Sequence, residues 1–108
     1  MKIGDIVLIP FPFAELTNIK IRPAVVISET ADQYKDVVVS AISSVVPKQL
    51  SRREIVLQPN LINMLRVQSV IKVDRIVTLK REDKIADLGK LSNSEVSEFK
   101  AILTEMIK

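Results

Sequence analysis

The apolar residues of this chain fall into short runs that prolines and polar segments interrupt, and this spacing restricts the fold more than any other feature. The first run covers residues 5–9 and is followed by Pro10 and Pro12, and two further runs cover residues 23–28 and 36–43. Proline lacks a backbone donor, so we expect it to end the first strand. Apolar, β-branched runs of about four to eight residues are typical of buried strands.

The second half of the chain continues this pattern before the period changes. Residues 54–58 predict a short strand, residues 69–79 predict one bent strand or two, and residues 61–65 could form a single helical turn. Polar loops are expected over residues 14–21 and 44–53. The pattern therefore predicts four or five strands ahead of any long helix.

A helix that begins after Ser92 is the clearest single element. Ser92 and Glu95 have the spacing of a capping box, and Leu91 with Val96 forms the matching hydrophobic staple. Apolar residues then recur at helical spacing and give one apolar face: Val96, Phe99, Ile102, Leu103 and Met106. Together these elements predict a mainly β (α+β) fold, in which a C-terminal helix packs on one side of a small barrel-like sheet.

The length and composition limit both the domain count and the chemistry. A chain of 108 residues is expected to form a single domain over residues 1–108. Cysteine and histidine are absent, which excludes disulfides, thiolate or imidazole metal ligands, and serine–histidine catalytic pairs. Any proton transfer must therefore use Asp, Glu, Lys, Tyr or Arg side chains.

No segment of the sequence has the character of a membrane helix or a signal peptide. The longest uncharged run, residues 6–14, contains two prolines and is far shorter than the roughly 20 apolar residues that a membrane helix needs. Gly4 and Asp5 follow the first residues directly, where a signal peptide would have its apolar region. We therefore expect a cytoplasmic protein without membrane contact.

The charge of the chain is concentrated in its middle. Residues 51–90 hold nine basic and five acidic side chains, whereas residues 1–50 are balanced and residues 91–108 have one excess acidic residue. A basic segment of this kind favours a polyanionic partner such as a nucleic acid. The net charge of +3 is also small enough to serve solubility alone.

Two positions have residue types suited to contact with a phosphate. Pro23 disfavours helical backbone at Arg22, so the guanidinium is held on extended chain, where its planar fork could face a phosphate. An ion pair on a solvated rim explains Arg22 equally well. Ser43 and Ser44 end a predicted strand, and their hydroxyls could donate to phosphate oxygens, although a role in forming the turn is more common.

A second set of charged residues follows later in the chain. Lys72 and Asp74 are two apart on a predicted strand, so both are expected on one face. They could act as acid and base, although a plain ion pair is the more common arrangement. Arg52 and Arg53 form a basic doublet in a predicted loop, where solvation alone would explain them.

Several stretches of the sequence resemble one known family. They are residues 4–13 (Gly-Asp-Ile-Val-Leu-Ile-Pro-Phe-Pro-Phe), residues 22–28 (Arg-Pro-Ala-Val-Val-Ile-Ser), residues 41–44, residues 69–74 and the Leu88-Gly89 pair. Over nearly its whole length the chain is similar to the MazF/PemK-like toxins of toxin–antitoxin modules. The resemblance implies an SH3-like barrel of the CcdB/PemK type with a C-terminal helix. It also implies a homodimer and metal-independent, sequence-selective cleavage of single-stranded RNA, in which the 2′-hydroxyl attacks the adjacent phosphate.

The resemblance also assigns roles to residues of the site. Arg22 matches the catalytic arginine of the family, and Ser43 stands where many members have threonine. Lys72 stands where one branch has a second catalytic arginine, and Asp74 matches the acidic residue of that branch. The same branch uses a loop histidine that this chain lacks, and Glu15 or Lys20 could substitute for it.

These matches give a set of expectations about mechanism and partners. Arg22 and Ser43 are expected to stabilise the phosphorane, and Asp74 is expected to act as the base. The residues expected to bind the RNA are Glu15, Lys20, Ser44, Arg52 and Arg53. No cofactor is implied, and the implied partner is a cognate MazE-like antitoxin with a flexible acidic tail. Two alternatives stay open: a non-catalytic SH3-like barrel that acts on DNA gyrase, and a domain that only binds RNA.

Overall fold

The structure is a computed structural model, and it describes residues 1–12 and 19–108. Its strands are β1 (Asp5–Pro12), β2 (Ile19–Glu29), β3 (Val37–Ser43), β4 (Glu54–Leu57), β5 (Ser69–Leu79) and β6 (Ala86–Lys90). A short 3-10 helix (Arg81–Asp83) precedes β6, and the helix α1 covers Asn93–Met106. Residues 69–79 therefore form one strand, and β6 is a strand that the sequence patterns did not predict.

The six strands form one curled antiparallel sheet in the order β4-β5-β3-β2-β1-β6. Every neighbouring pair is antiparallel. The sheet makes a half-barrel, and α1 packs against its residues. The prediction of a small barrel-like sheet with a C-terminal helix is confirmed.

The first strand continues through its two prolines, so the expectation that it would end at Ile9 was wrong. β1 pairs with β2 as far as Pro12 opposite Ile19, whereas its pairing with β6 ends at Leu8. Beyond Leu8, no strand among residues 1–12 and 19–108 pairs with this side of β1. A proline whose nitrogen points to that side removes no ladder hydrogen bond, which is where strands tolerate proline.

Both faces of the sheet contribute to a hydrophobic core. On the face toward α1, Val25 and Ile71 belong to a buried cluster that includes Phe99 of the helix. On the opposite face, Val26 and Val39 belong to a second buried cluster. Successive strand residues point to opposite faces, so the adjacent Val25 and Val26 enter different clusters.

The helix begins with the predicted capping box. The Glu95 backbone N–H donates to Ser92 Oγ at 3.3 Å, and the Ser92 N–H donates to Glu95 Oε1 at 2.8 Å. Phe99 is fully buried at the centre of the apolar face. Within residues 1–12 and 19–108, no helix has the length and apolar character required to span a membrane.

The connection between β4 and β5 reaches across to β6. Asn60 accepts from the Met64 N–H at 3.0 Å, so the expected helical turn is present as one isolated α-turn. Asn63 is fully buried, and its side chain donates to the Gln58 carbonyl at 2.8 Å. We call residues 60–65 the Asn60 turn. The Lys90 N–H donates to this turn at the Ile62 carbonyl, so the turn is anchored on β6.

Candidate functional site

A shallow cleft of about 100 Å³ opens where β2, β3 and β5 run side by side. Among the residues that the structure describes, it combines three cationic side chains, one hydroxyl and apolar side chains. The residues that line it are Phe11, Arg22, Ala41, Ile42, Ser43, Lys72 and Arg75. Three of the four residues that sequence analysis assigned to catalysis are therefore brought together.

The strand register explains this convergence. Ala24 of β2 lies opposite Ala41 of β3, and Ala41 also lies opposite Lys72 of β5. Side chains two residues apart share a face. Arg22, two residues before Ala24, and Ser43, two residues after Ala41, therefore project on the same side as Lys72. The small Ala41 side chain leaves room between them.

A bulge in β5 adds a residue that sequence analysis missed. Ser40 lies opposite Ile76 while the next residue, Ala41, lies opposite Lys72, so three residues of β5 have no partner on β3. An odd number of extra residues exchanges the two faces of a strand. Arg75 therefore joins Lys72 in the cleft, although regular alternation would place them on opposite faces.

Asp74 is one of the β5 residues that the bulge leaves unpaired with β3. The regular alternation that predicts a shared face for Lys72 and Asp74 does not apply within a bulge. Asp74 is 48% exposed and lies beside Arg53, with 3.9 Å between its Oδ2 and the Arg53 Nη1. It does not line the cleft.

Two of the cleft side chains, Ser43 and Lys72, form hydrogen bonds within the protein. Ser43 Oγ accepts from the Val45 N–H at 3.1 Å, and its own proton can still be donated to a ligand. Lys72 Nζ donates to Glu54 Oε2 at 2.9 Å. A hydrogen bond from the Ser51 N–H, followed by the one from Lys72, lowers the pKa of Glu54 below its ordinary value of 4.5. Glu54 is therefore an ionised partner of Lys72 at neutral pH.

The residues expected to bind RNA are distributed around this cleft. Ser44 lines a neighbouring groove of about 300 Å³, and Arg22 borders both the groove and the cleft. Lys20 is exposed on β2, two residues before Arg22. Arg52 and Arg53 line a separate hollow beside α1 and do not line the cleft. Glu15 lies outside the described residues.

The part of the chain that the structure describes contains no cluster of three or more acidic side chains suited to holding a metal ion. The chemistry that the described cleft can offer is that of fixed cations and a hydroxyl donor facing a small hollow. Such a set matches a phosphate group, because guanidinium and ammonium groups supply charge and the hydroxyl supplies a further donor.

Known proteins share this fold and the sequence pattern. The chain superimposes with a TM-score of 0.75 on an endoribonuclease in complex with its cognate antitoxin from mycobacterial species, at 14% identity over 99% of this chain and 94% of that chain. It superimposes with a TM-score of 0.69 on the Mycobacterium tuberculosis toxin MazF-mt6, at 18% identity over 95% of each chain. A comparison with curated protein sequences finds no significant match. The model of one family matches residues 2–107, and the chain thus belongs to the PemK-like, MazF-like toxins of type II toxin–antitoxin systems.

Proposed function

We propose that this family member is a toxin that cleaves single-stranded RNA at selected sequences without a metal ion. In this reaction the RNA 2′-hydroxyl attacks the adjacent phosphorus and leaves a 2′,3′-cyclic phosphate and a 5′-hydroxyl end. The convergence of Arg22, Ser43 and Lys72 on one cleft is the observation that carries the proposal. These side chains supply charge and donors where negative charge develops on the phosphorane.

The cleft residues take different roles in this proposal. Arg22 offers two parallel N–H donors to the phosphate oxygens. Ser43 donates a hydrogen bond from its hydroxyl to the same group. Lys72 is held by Glu54 and orients the phosphate from β5. RNA supplies its own nucleophile, so the protein needs only a base, stabilising donors and an acid for the leaving oxygen.

We assign the base to Glu15 instead of Asp74. Asp74 faces Arg53 outside the cleft, whereas Glu15 belongs to the segment that follows the cleft residue Phe11 along the chain and precedes Lys20 and Arg22. Glu15→Gln is expected to slow cleavage by at least tenfold, and Asp74→Asn is expected to leave it within about twofold, since general-base help is worth typically 10²- to 10⁴-fold. The reverse result would return the role to Asp74.

Partners follow from the same surface. We propose that the protein acts in the cytoplasm as a homodimer and that the flexible acidic tail of a MazE-like antitoxin covers the basic cleft. Charge complementarity supports the antitoxin, because residues 51–90 carry the excess of basic side chains. Exposed apolar side chains near the groove support the homodimer, since large apolar surfaces mark interaction sites: Leu61 (92% exposed), Ile62 (51%), Met64 (50%) and Val67 (54%).

Incubation of the purified protein with single-stranded RNA in EDTA tests the proposal. Cuts at a reproducible sequence, with fragments ending in 2′,3′-cyclic phosphate, are expected. Intact RNA, or cutting that appears only after Mg²⁺ is added, would contradict the mechanism. Inhibition of gyrase supercoiling without any RNA cut would favour the non-catalytic alternative.

Variants of the cleft make the test specific. Arg22→Ala is expected to reduce kcat by about 10²- to 10³-fold, as the loss of one donor to developing charge does elsewhere. Ser43→Thr should keep most of the activity and Ser43→Ala should not, since only the first retains the hydroxyl. Arg81→Ala, in the exposed 3-10 helix, is the matched control and should cleave as the wild type does. Full activity of Arg22→Ala would remove the main assignment.

A further inference from the structure

Two cations of the described cleft, Lys72 and Arg75, differ in how their charge is balanced. Lys72 donates to Glu54 at 2.9 Å, so a carboxylate offsets its charge before any ligand arrives. Arg75 lines the same cleft and forms no ion pair with any residue in the ranges 1–12 and 19–108. Arg75 therefore gives the cleft a positive charge that no described carboxylate balances.

The backbone that carries Arg75 is held at the start of the bulge. Ser40 is fully buried, and its hydroxyl donates to the Val73 carbonyl at 2.8 Å. The Val73 N–H donates to the Arg53 carbonyl at 3.0 Å. Both backbone polar groups of Val73 thus have partners, and its side chain is buried in the core. A bulge fixed in this way re-aims the side chains that follow it.

Arg22 and Arg75 lie on the two strands that flank the strand of Ser43. Arg22 lies on β2 and Arg75 on β5, and these strands flank β3, which carries Ser43. A group bound over Ser43 would have one guanidinium on each side. Each guanidinium can donate a pair of parallel N–H bonds to phosphate oxygens, which an ammonium group cannot do.

We propose that Arg75 contacts the scissile phosphate and stabilises the phosphorane together with Arg22, an inference that rests on the proposed function. As the 2′-oxygen bonds to phosphorus, its proton passes to the base and the non-bridging oxygens gain charge. The bond between phosphorus and the 5′-oxygen then breaks, and the 5′-oxygen takes a proton. Arg75 donates hydrogen bonds to the non-bridging oxygens and transfers no proton, so its contribution is strongest at the phosphorane.

Single-turnover cleavage in EDTA tests this role with an RNA oligonucleotide that the wild type cuts. Arg75→Ala is expected to lower the single-turnover rate constant at saturating protein by about 10²- to 10³-fold. Arg75→Lys should recover part of the rate, because it restores the charge but not the paired donors. Arg81→Ala is the matched control and should keep the wild-type rate. Because Arg75 is exposed, thermal unfolding of Arg75→Ala should match that of the wild type.

A binding measurement gives a second readout. The same oligonucleotide with a 2′-deoxy substitution at the cut site cannot react, and its affinity can be measured at several salt concentrations. Removal of one phosphate contact should reduce the slope of log K against log salt by about 0.7 for single-stranded RNA. Arg75→Ala should show this reduction, and Arg75→Lys should not.

The outcomes separate this inference from the proposed function. If the wild type cuts RNA and Arg75→Ala cuts it at the wild-type rate, the role of Arg75 is wrong and the proposed function stands. A defect that disappears at saturating protein would also overturn the role, because it would place the contact in the ground state only. If the wild type itself does not cut, the proposed function fails first and this inference fails with it.

Discussion

Gly89→Ala adds one methyl group where β6 packs against the Asn60 turn, and it tests how tightly the two fit together. A Cβ at Gly89 would lie 2.4 Å from the carbonyl oxygen of Ile62 and 2.6 Å from that of Asn63. Both atoms belong to the backbone of the Asn60 turn, so neither can move away by a side-chain rotation. We predict that Gly89→Ala pushes this turn off β6 and breaks the bond from the Lys90 N–H to the Ile62 carbonyl, now 3.1 Å.

The magnitude follows from three contributions to the free energy of unfolding. Ordinary non-bonded contacts lie near 3.5 Å, so the turn must retreat by about 1 Å. Overpacking of this kind costs about 1–3 kcal/mol, and one lost backbone hydrogen bond costs about 1 kcal/mol. The lower chain entropy of unfolded alanine offsets about 0.4–1 kcal/mol. The net loss is about 2 kcal/mol, which corresponds to a Tm lower by roughly 8–16 °C in a domain of this size.

Thermal and urea unfolding followed by circular dichroism measure this effect. The sign of the change is the decisive observation. If the turn could yield freely, only the entropy of the unfolded chain would change, and Gly89→Ala would raise the Tm. An unchanged or raised Tm would therefore refute the steric argument.

Three further predictions concern stability. Ser92→Ala removes the helix cap and should lower the free energy of unfolding by about 1 kcal/mol in urea titrations, whereas Ser97→Ala on the exposed side of the helix should change it little. Ser40→Ala leaves the bulge carbonyl without its donor and should cost about 1–3 kcal/mol; an equal effect of Ser28→Ala, at an exposed site, would contradict this. The lowered pKa of Glu54 means that its stabilising contribution is complete above its ordinary value of 4.5 and is lost as pH falls through the lower folded value. The Tm of Glu54→Gln should therefore lie below that of the wild type at pH 7 and converge with it in acid, and a gap independent of pH would argue against the ionised contact.

Local chemistry made part of the fold predictable. The helix and its cap follow from residues within one turn of Ser92, and the structure has both as predicted. β6 was missed because Asp87, Gly89 and Lys90 have weak strand preferences, and the segment becomes a strand by pairing with β1. The continuation of β1 through Pro10 has the same origin, since it depends on where the pairing with β6 ends.

The site was predictable residue by residue but not as a geometry. Arg22, Ser43 and Lys72 were each identified from the sequence, and the register brings them together. Arg75 was missed because of the bulge in β5, which also interrupts the regular alternation used to place Asp74. The strand lengths reflect this bulge: β5 has 11 residues and its partner β3 has 7, so the longer strand must leave residues unpaired or extend beyond its neighbour.

The ends of the strand order have a consequence for association between chains. β4 has only four residues and β6 five, and the Asn60 turn already occupies the Lys90 N–H of β6. Short edge strands that carry charged residues, such as Glu54 and Asp87, are a poor template for the addition of a strand from another molecule. The outer edges of β4 and β6 are therefore unfavourable sites for pairing with a strand of a second copy.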